Sequence, residues 1–211
     1  MWLIGVAGAL VLGAVLWGPL VSNVEQPKYT VVESDGIIDI RDYPAMIVAE
    51  AEVSSEREKA INQGFRLIAG YIFGNNLSSQ KVAMTAPVTQ EVSITEQTGE
   101  KIAMTAPVTQ QGAGSSWKVR FIMPASYTME SLPKPRDPKV QLSQIASRRF
   151  TVIRFSGMAG EASLQRQTAR LTQFIAARKL TAVSAPSYAF YNPPWTLPFM
   201  RRNEVMIEIS R

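Results

Sequence analysis

One order of elements, strand–helix–strand–strand, can be read twice between Tyr29 and Ile209, and this repetition limits the folds open to the chain. In the first half, Tyr29-Thr-Val-Val-Glu and Ile37-Ile-Asp-Ile-Arg read as two short strands around the turn Ser34-Asp35-Gly36. Met46–Val53 continues as a strand. Ser55-x-x-Glu58 has the form of a capping box, and Ile61, Phe65, Ile68 and Ile72 make a helical stripe closed by Gly74. In the second half, Arg149–Phe155 reads as a strand and Gly157–Gly160 as a break. A helix over Glu161–Leu180 follows, with Leu164, Leu171, Phe174 and Ile175 on one side, and Ser187–Tyr191 and Glu204–Ile209 close the unit. Between the halves, Leu132-Pro-Lys-Pro-Arg-Asp-Pro138 is an exposed connector, because proline cannot donate to a ladder. Each unit is too short to bury a core alone, so the expected fold class is one α+β domain, a curved sheet carrying two helices.

A second repeat lies inside the first. Lys81-Val-Ala-Met-Thr-Ala-Pro-Val-Thr-Gln90 recurs as Lys101-Ile-Ala-Met-Thr-Ala-Pro-Val-Thr-Gln110, with only Val82 and Ile102 differing. Each copy reads as a short apolar strand. Pro87 and Pro107 are either bends at strand ends, or they set Met84 and Met104 along a shared apolar surface, where thioethers adapt to flat ligands and can ligate soft metals.

The chain's 211 residues contain neither cysteine nor histidine. Disulfides, thiol nucleophiles, cysteine-ligated metals, histidine-based triads and a proximal-histidine haem are thereby excluded. A hydrolase would then need paired carboxylates, and no two in the second half sit at a telling spacing, so no enzyme is expected. Charge divides unevenly: residues 24–100 hold 6 Lys/Arg against 12 Asp/Glu, and residues 101–211 hold 16 against 5. The basic residues are scattered without a block, which argues against nucleic acid and for two halves that complement each other.

Trp2–Val21 is an uncharged run of twenty residues. As a helix it is ~30 Å long, the thickness of a bilayer core, and it lacks the basic start of a cleaved signal peptide. Residues 1–22 are therefore expected to form a transmembrane anchor (a signal sequence is the alternative), residues 23–28 a linker, and residues 29–211 the ligand-binding domain. Localisation follows as a single-pass membrane protein with its domain outside the cytoplasm, in the periplasm. Gly5, Ala9 and Gly13 share a helical face that offers a dimer contact between anchors.

The chain resembles the SOUL haem-binding protein family, in its bacterial branch with an N-terminal hydrophobic segment. The stretches that carry the resemblance are Tyr29–Tyr43, Lys101-Ile-Ala-Met-Thr-Ala-Pro-Val108, Val119-Arg-Phe-Ile-Met-Pro124 with Leu132–Pro138, and Tyr191-Asn-Pro-Pro-Trp195 running into Arg201-Arg-Asn-Glu-Val205. The resemblance implies an internally duplicated, distorted barrel-like antiparallel sheet with two helices, and an activity of binding haem or a related tetrapyrrole non-covalently. It is also similar in design to effector-binding domains of multidrug regulators, so another hydrophobic or cationic small ligand is the alternative, with Glu204 a candidate countercharge. The absence of histidine departs from those family members thought to use an axial histidine.

Without histidine, a tetrapyrrole is held by its apolar face and by arginine forks on its propionates, with Tyr, Met or Lys as axial options. The expected cleft lies between the first helix and the strands bearing Met84 and Met104. Phe65, Ile68 and Ile72 would face it, with Arg66 as propionate partner and Tyr71 as face contact or axial oxygen. The proline-rich loop 192–200 is expected to cover a pocket or to present Trp195, Leu197 and Phe199 to a partner or membrane. Arg201 and Arg202 either pin the last strand or meet the ligand's charged edge.

Overall fold

The computed structural model of the chain describes residues 24–77, 99–193 and 195–211. The strands are β1 (Thr30–Asp35), β2 (Ile38–Tyr43), β3 (Met46–Ser54), β4 (Asn76–Leu77), β5 (Val108–Ala113), β6 (Ser116–Ile122), β7 (Lys134–Pro135), β8 (Val140–Ile145), β9 (Arg148–Phe155), β10 (Ser187–Phe190) and β11 (Asn203–Ile209). Helix α1 spans Arg57–Ile72 and α2 spans Glu161–Ala177. Nine strands form one antiparallel sheet in the order β1-β2-β9-β11-β10-β5-β6-β3-β8, while β4 and β7 pair apart from it.

The duplication is visible in this order. The first unit contributes β3, β6 and β5, the second β9, β11 and β10, and the two meet where β5 pairs with β10. Each unit also lends its preceding strand to the other: β2 pairs with β9, and β8 pairs with β3. The register runs on across both breaks, from Tyr43 opposite Arg148 to Met46 opposite Ile145. β2–β3 and β8–β9 are thus one long antiparallel ribbon, interrupted at Pro44, which has no N–H to give a ladder. The barrel-like expectation is corrected: β1 and β8 end the order without pairing to each other, so the sheet stays open. The reason lies in the exchange, which among the described residues places β1 and β8 at opposite ends of the sheet.

Side-chain alternation separates two faces. Ala49 and Ala51, Val119 and Phe121, and Val140 pack with Ile68, Tyr71 and Ile72 of α1. Ile153, Val205, Ile207 and Ile209 pack with Leu164, Leu171 and Ile175 of α2. Both helices therefore cover the same face. The opposite face gathers Tyr43, Val152, Ala189, Tyr191 and Met206.

The helix boundaries show where local signals give way. Glu56 rather than Ser55 is the N-cap of α1, and no side chain caps it, so the capping box does not form. Helix α2 ends at Ala177 instead of Leu180, and Lys179 turns the chain with φ +54°. The second copy of the repeat is a strand only from Val108 onward. Before it, Ile102 N–H donates to the Ile72 carbonyl, tying the segment to the end of α1. The first copy, with Met84, lies outside the described residues, as does the predicted span 1–22 with Gly5, Ala9 and Gly13. Among the described residues, no helix is long and apolar enough to cross a membrane.

Two glycines of α1 make opposite predictions. A Cβ on Gly64 would stand 2.5 Å from Val119 Cγ2 and 2.6 Å from its Cβ, which no rotamer change relieves. Overpacking of that kind costs about 1–3 kcal/mol, more than the ~0.5–1 kcal/mol that alanine gains over glycine in a helix. A Cβ on Gly70 meets nothing within 4 Å. G64A is expected to lower the thermal midpoint and G70A to raise it; equal shifts would show that α1 is not seated on β6 as described.

Candidate functional site

The face away from the helices carries a groove. Its walls come from β3 (Met46, Val48), β5 (Thr109, Gln111), β6 (Arg120, Ile122), β9 (Arg148, Phe150) and β11 (Met206, Glu208), with further contributions from β8 and β10 and from Tyr43 and Tyr191. The walls come from both units, so the groove straddles the junction of the duplication. Met46–Ala49 and Val205–Ile207 are apolar at consecutive positions because helix covers one face of each strand and the groove wall is the other. The enclosed volume is about 80 Å³. That is room for a few waters, against the roughly 300–1,000 Å³ typical of small-molecule sites.

Both arginines that line the groove are ion-paired. Arg120 Nε donates to Glu50 Oε2 at 2.7 Å and Arg148 Nη1 to Glu208 Oε2 at 3.1 Å. Burial works against the Glu50 carboxylate, but its bonds to Arg120 and the nearby Lys118 prevail and hold its pKa below the ordinary value. Arg120 Nη1 also donates to Gln111 Oε1 at 3.2 Å, so its guanidinium is held from both β3 and β5, whereas Arg148 is the more exposed arginine, at 36% against 21%.

Beside the groove lies a buried network centred on Glu204, whose side chain is fully buried. Arg41 Nη1 donates to its Oε1 at 3.0 Å, Arg202 Nε and Nη2 to the same oxygen at 3.0 and 2.7 Å, and Tyr191 Oη to Oε2 at 2.8 Å. Arg41 also bonds Asp39 and lies 4.4 Å over the Tyr29 ring, and Arg202 lies 3.9 Å over the Tyr191 ring. Burial opposes the Arg41 charge, yet Glu204 overrides it and raises the pKa. Burial, reinforced by the Glu204 charge, pushes the Tyr43 hydroxyl up to about 12 and raises Tyr191 as well. Two arginines balance Glu204 and Asp39, so the network is internally neutral and Glu204 keeps no countercharge in reserve for a cationic ligand.

The predicted site residues separate. Ile68, Tyr71 and Ile72 are fully buried core, at 0%, 1% and 1% exposure, against Ile102, Phe121 and Leu132. They fill the space between helix and sheet where a cleft was expected. The Tyr71 hydroxyl donates to the Pro133 carbonyl at 2.9 Å, and burial raises its pKa. Phe65 is exposed at its edge, with its ring tilted on Phe121 at 5.3 Å between centroids, and Arg66 is exposed beside it. Met104 is exposed next to Thr105, whose hydroxyl donates to the Ile122 carbonyl. Arg202 serves the Glu204 network, and Arg201 Nε donates to the Thr196 carbonyl at 2.7 Å within loop 192–200. Sequence reasoning did not reach the groove residues Tyr43, Met46, Arg120, Arg148, Phe150 and Met206. The available signal was the consecutive apolar positions in β3 and β11, which require both faces to be covered. Among the described residues, no cluster of three Asp/Glu groups stands ready to hold a metal.

An open antiparallel sheet built from two units that exchange a strand, with both helices on one face and an apolar groove on the other, places the chain in a class of duplicated α+β domains. The SOUL heme-binding protein family model matches residues 24–99 and 93–208, and the chain belongs to that family. The first matched stretch contains the copy at Met84–Gln90 and the second the copy at Met104–Gln110. No curated protein matches it by sequence. Among solved structures it is similar to the EcmrR C-terminal domain, with 9% identity, 87% of this chain and 98% of that chain covered, and a TM-score of 0.56. It is also similar to EcmrR in an EcmrR–DNA complex (11%, 82% and 57%, 0.54) and to a hydrolase from Listeria innocua (11%, 85% and 94%, 0.51). At these identities the likeness is one of fold.

Proposed function

We propose that this protein is a membrane-tethered carrier, buffer or sensor of haem or a related tetrapyrrole, without enzymatic activity, and that it holds the ligand in the groove on the helix-free face. The observation that supports this reading is the groove itself: apolar walls from both repeats in a member of a heme-binding family, with Arg120 and Arg148 standing among them. Met46, Phe150, Tyr191 and Met206 would supply the apolar contact, and the two arginines would take propionates in exchange for Glu50 and Glu208. Bound haem would bring an iron whose available protein ligands here are thioether or phenol oxygen, since histidine is absent. The lining chemistry fits a tetrapyrrole, but the present width does not, so binding widens the groove. The uncharged run Trp2–Val21 supports the tether, with the domain held outside the cytoplasm.

The test is a Soret titration of the full chain in detergent with haem, repeated by fluorescence with metal-free protoporphyrin. M206W fills the groove and is expected to weaken both ligands at least tenfold. R148E is expected to weaken them severalfold by opposing a propionate. R66E with F65S, on the exposed side of α1, is expected to change neither. A haem response no larger than that of an unrelated protein removes the reading. Loss of binding in the α1 double variant alone moves the site to the helix.

A further inference from the structure

Residues 195–200 present three large apolar side chains to solvent. Phe199 is 71% exposed, Trp195 68% and Leu197 39%, and Met158 on the facing loop is 63% exposed. The loop is not loose chain. Gly157 N–H donates to the Pro198 carbonyl at 2.9 Å, Thr196 N–H to Pro193 at 3.0 Å and Met200 N–H to Leu197 at 2.9 Å, while Asn203 Nδ2 donates to the Gly157 carbonyl at 3.0 Å. Arg201 closes it through the Thr196 carbonyl and also reaches Met158 Sδ at 3.4 Å, which joins the two loops into one surface. A fold that fixes the backbone of two aromatic residues and a methionine while leaving the side chains in water has an occupant for that surface.

Its position relative to the N-terminus indicates which. Arg202 Nη1 donates to Gln26 Oε1 at 3.1 Å, and Arg202 N–H donates to Asn192 Oδ1 at 2.6 Å, so Gln26 sits at the base of the loop. Glu25 is held beside it by a bridge to Thr105. Four residues, and so five Cα-to-Cα steps, separate Gln26 from Val21, the end of the uncharged run. Such a stretch reaches at most ~18 Å, so a bilayer entered at Val21 lies within that distance of the loop's base. Tryptophan and phenylalanine at a fixed distance from a span are residues that settle at the headgroup level.

We infer that the segment 195–200, with Met158, is a bilayer contact: Trp195, Leu197 and Phe199 enter the interfacial layer of the membrane that holds the N-terminal run, and so fix the domain's orientation on it. The inference rests on the tether reading. Because the chain has no cysteine, single labels report cleanly. The full chain carrying F199C, L197C or, on the exposed side of α2, Q173C is spin-labelled and reconstituted in phosphatidylethanolamine–phosphatidylglycerol vesicles. Flotation of the vesicles reads the tether, and relative collision with oxygen and a water-soluble nickel chelate reads depth. Labels at 197 and 199 are expected to favour oxygen several-fold over the label at 173. Adding W195S is expected to return the 199 label toward water while flotation persists. If the chain floats and all three labels are equally water-exposed, the loop contact is overturned and the tether stands. If the chain fails to float, the tether is overturned and the loop contact with it.

Discussion

Replacing Glu204 with leucine will cost about 3–5 kcal/mol of folding stability, the usual penalty for removing one partner of a buried ion pair. Leucine fills the space, so the loss is not a cavity effect. It comes from Arg41, whose side chain is 3% exposed, and Arg202, 20% exposed, which would be left facing each other without their shared carboxylate. Tyr191 Oη would lose its acceptor at the same time. For a domain of this size each kcal/mol moves the melting temperature by about 2–4 °C, so the midpoint should fall by roughly 6–20 °C. E204Q, which keeps the shape and an acceptor but not the charge, should fall between the two. Calorimetry of the three proteins decides the matter, and an E204L protein melting within 2 °C of the parent would mean the arginines do not depend on this carboxylate.

Stability should also collapse in alkali, beginning near pH 10. Tyr43, Tyr71 and Tyr191 are 4%, 1% and 6% exposed, and burial raises the pKa of each, that of Tyr43 to about 12. Because the folded pKa exceeds the unfolded one, the stabilisation is complete below the unfolded value of ~10 and is lost as pH climbs toward the folded value. Three such groups together give a slope near 4 kcal/mol per pH unit above pH 10. Urea denaturation at pH 8, 10 and 11 measures it. At the acid end the sign reverses: the Asp39 pKa is lowered because bonds from Arg41 and Ser34 outweigh burial, and that of Glu50 is lowered by Arg120, so their contribution is present near neutrality and fades as pH falls below about 4. A stability flat between pH 8 and 11 would contradict the burial of the tyrosines.

The helices and most of the strands were legible because their signals are local. The stripe of Ile61, Phe65, Ile68 and Ile72 has helical period, and Arg149–Phe155 is β-branched and aromatic. The same stripe says less about the site, since periodicity states that Ile68 and Ile72 face something apolar and not whether that is a sheet or a ligand. Here Phe121 and Ile102 occupy the space. β8 went unread because Val140-Gln-Leu-Ser-Gln-Ile145 follows three prolines and alternates only weakly. The groove could not be read from any one segment, since its walls come from strands as distant as β3 and β11. The Glu204 network has the same character: Arg41 and Glu204 lie 163 residues apart and meet only because β2 crosses to the second half.

That crossing has a consequence for ancestry and for engineering. A polypeptide holding one repeat alone would carry an outlying strand with no neighbour in its own body, and the same gap would exist on any identical copy. Two copies trading arms would satisfy both, re-creating the native sheet as a homodimer in which the groove lies on the dyad. Cutting the chain in the linker between β7 and β8 should therefore yield fragments that are insoluble apart and reassemble when mixed.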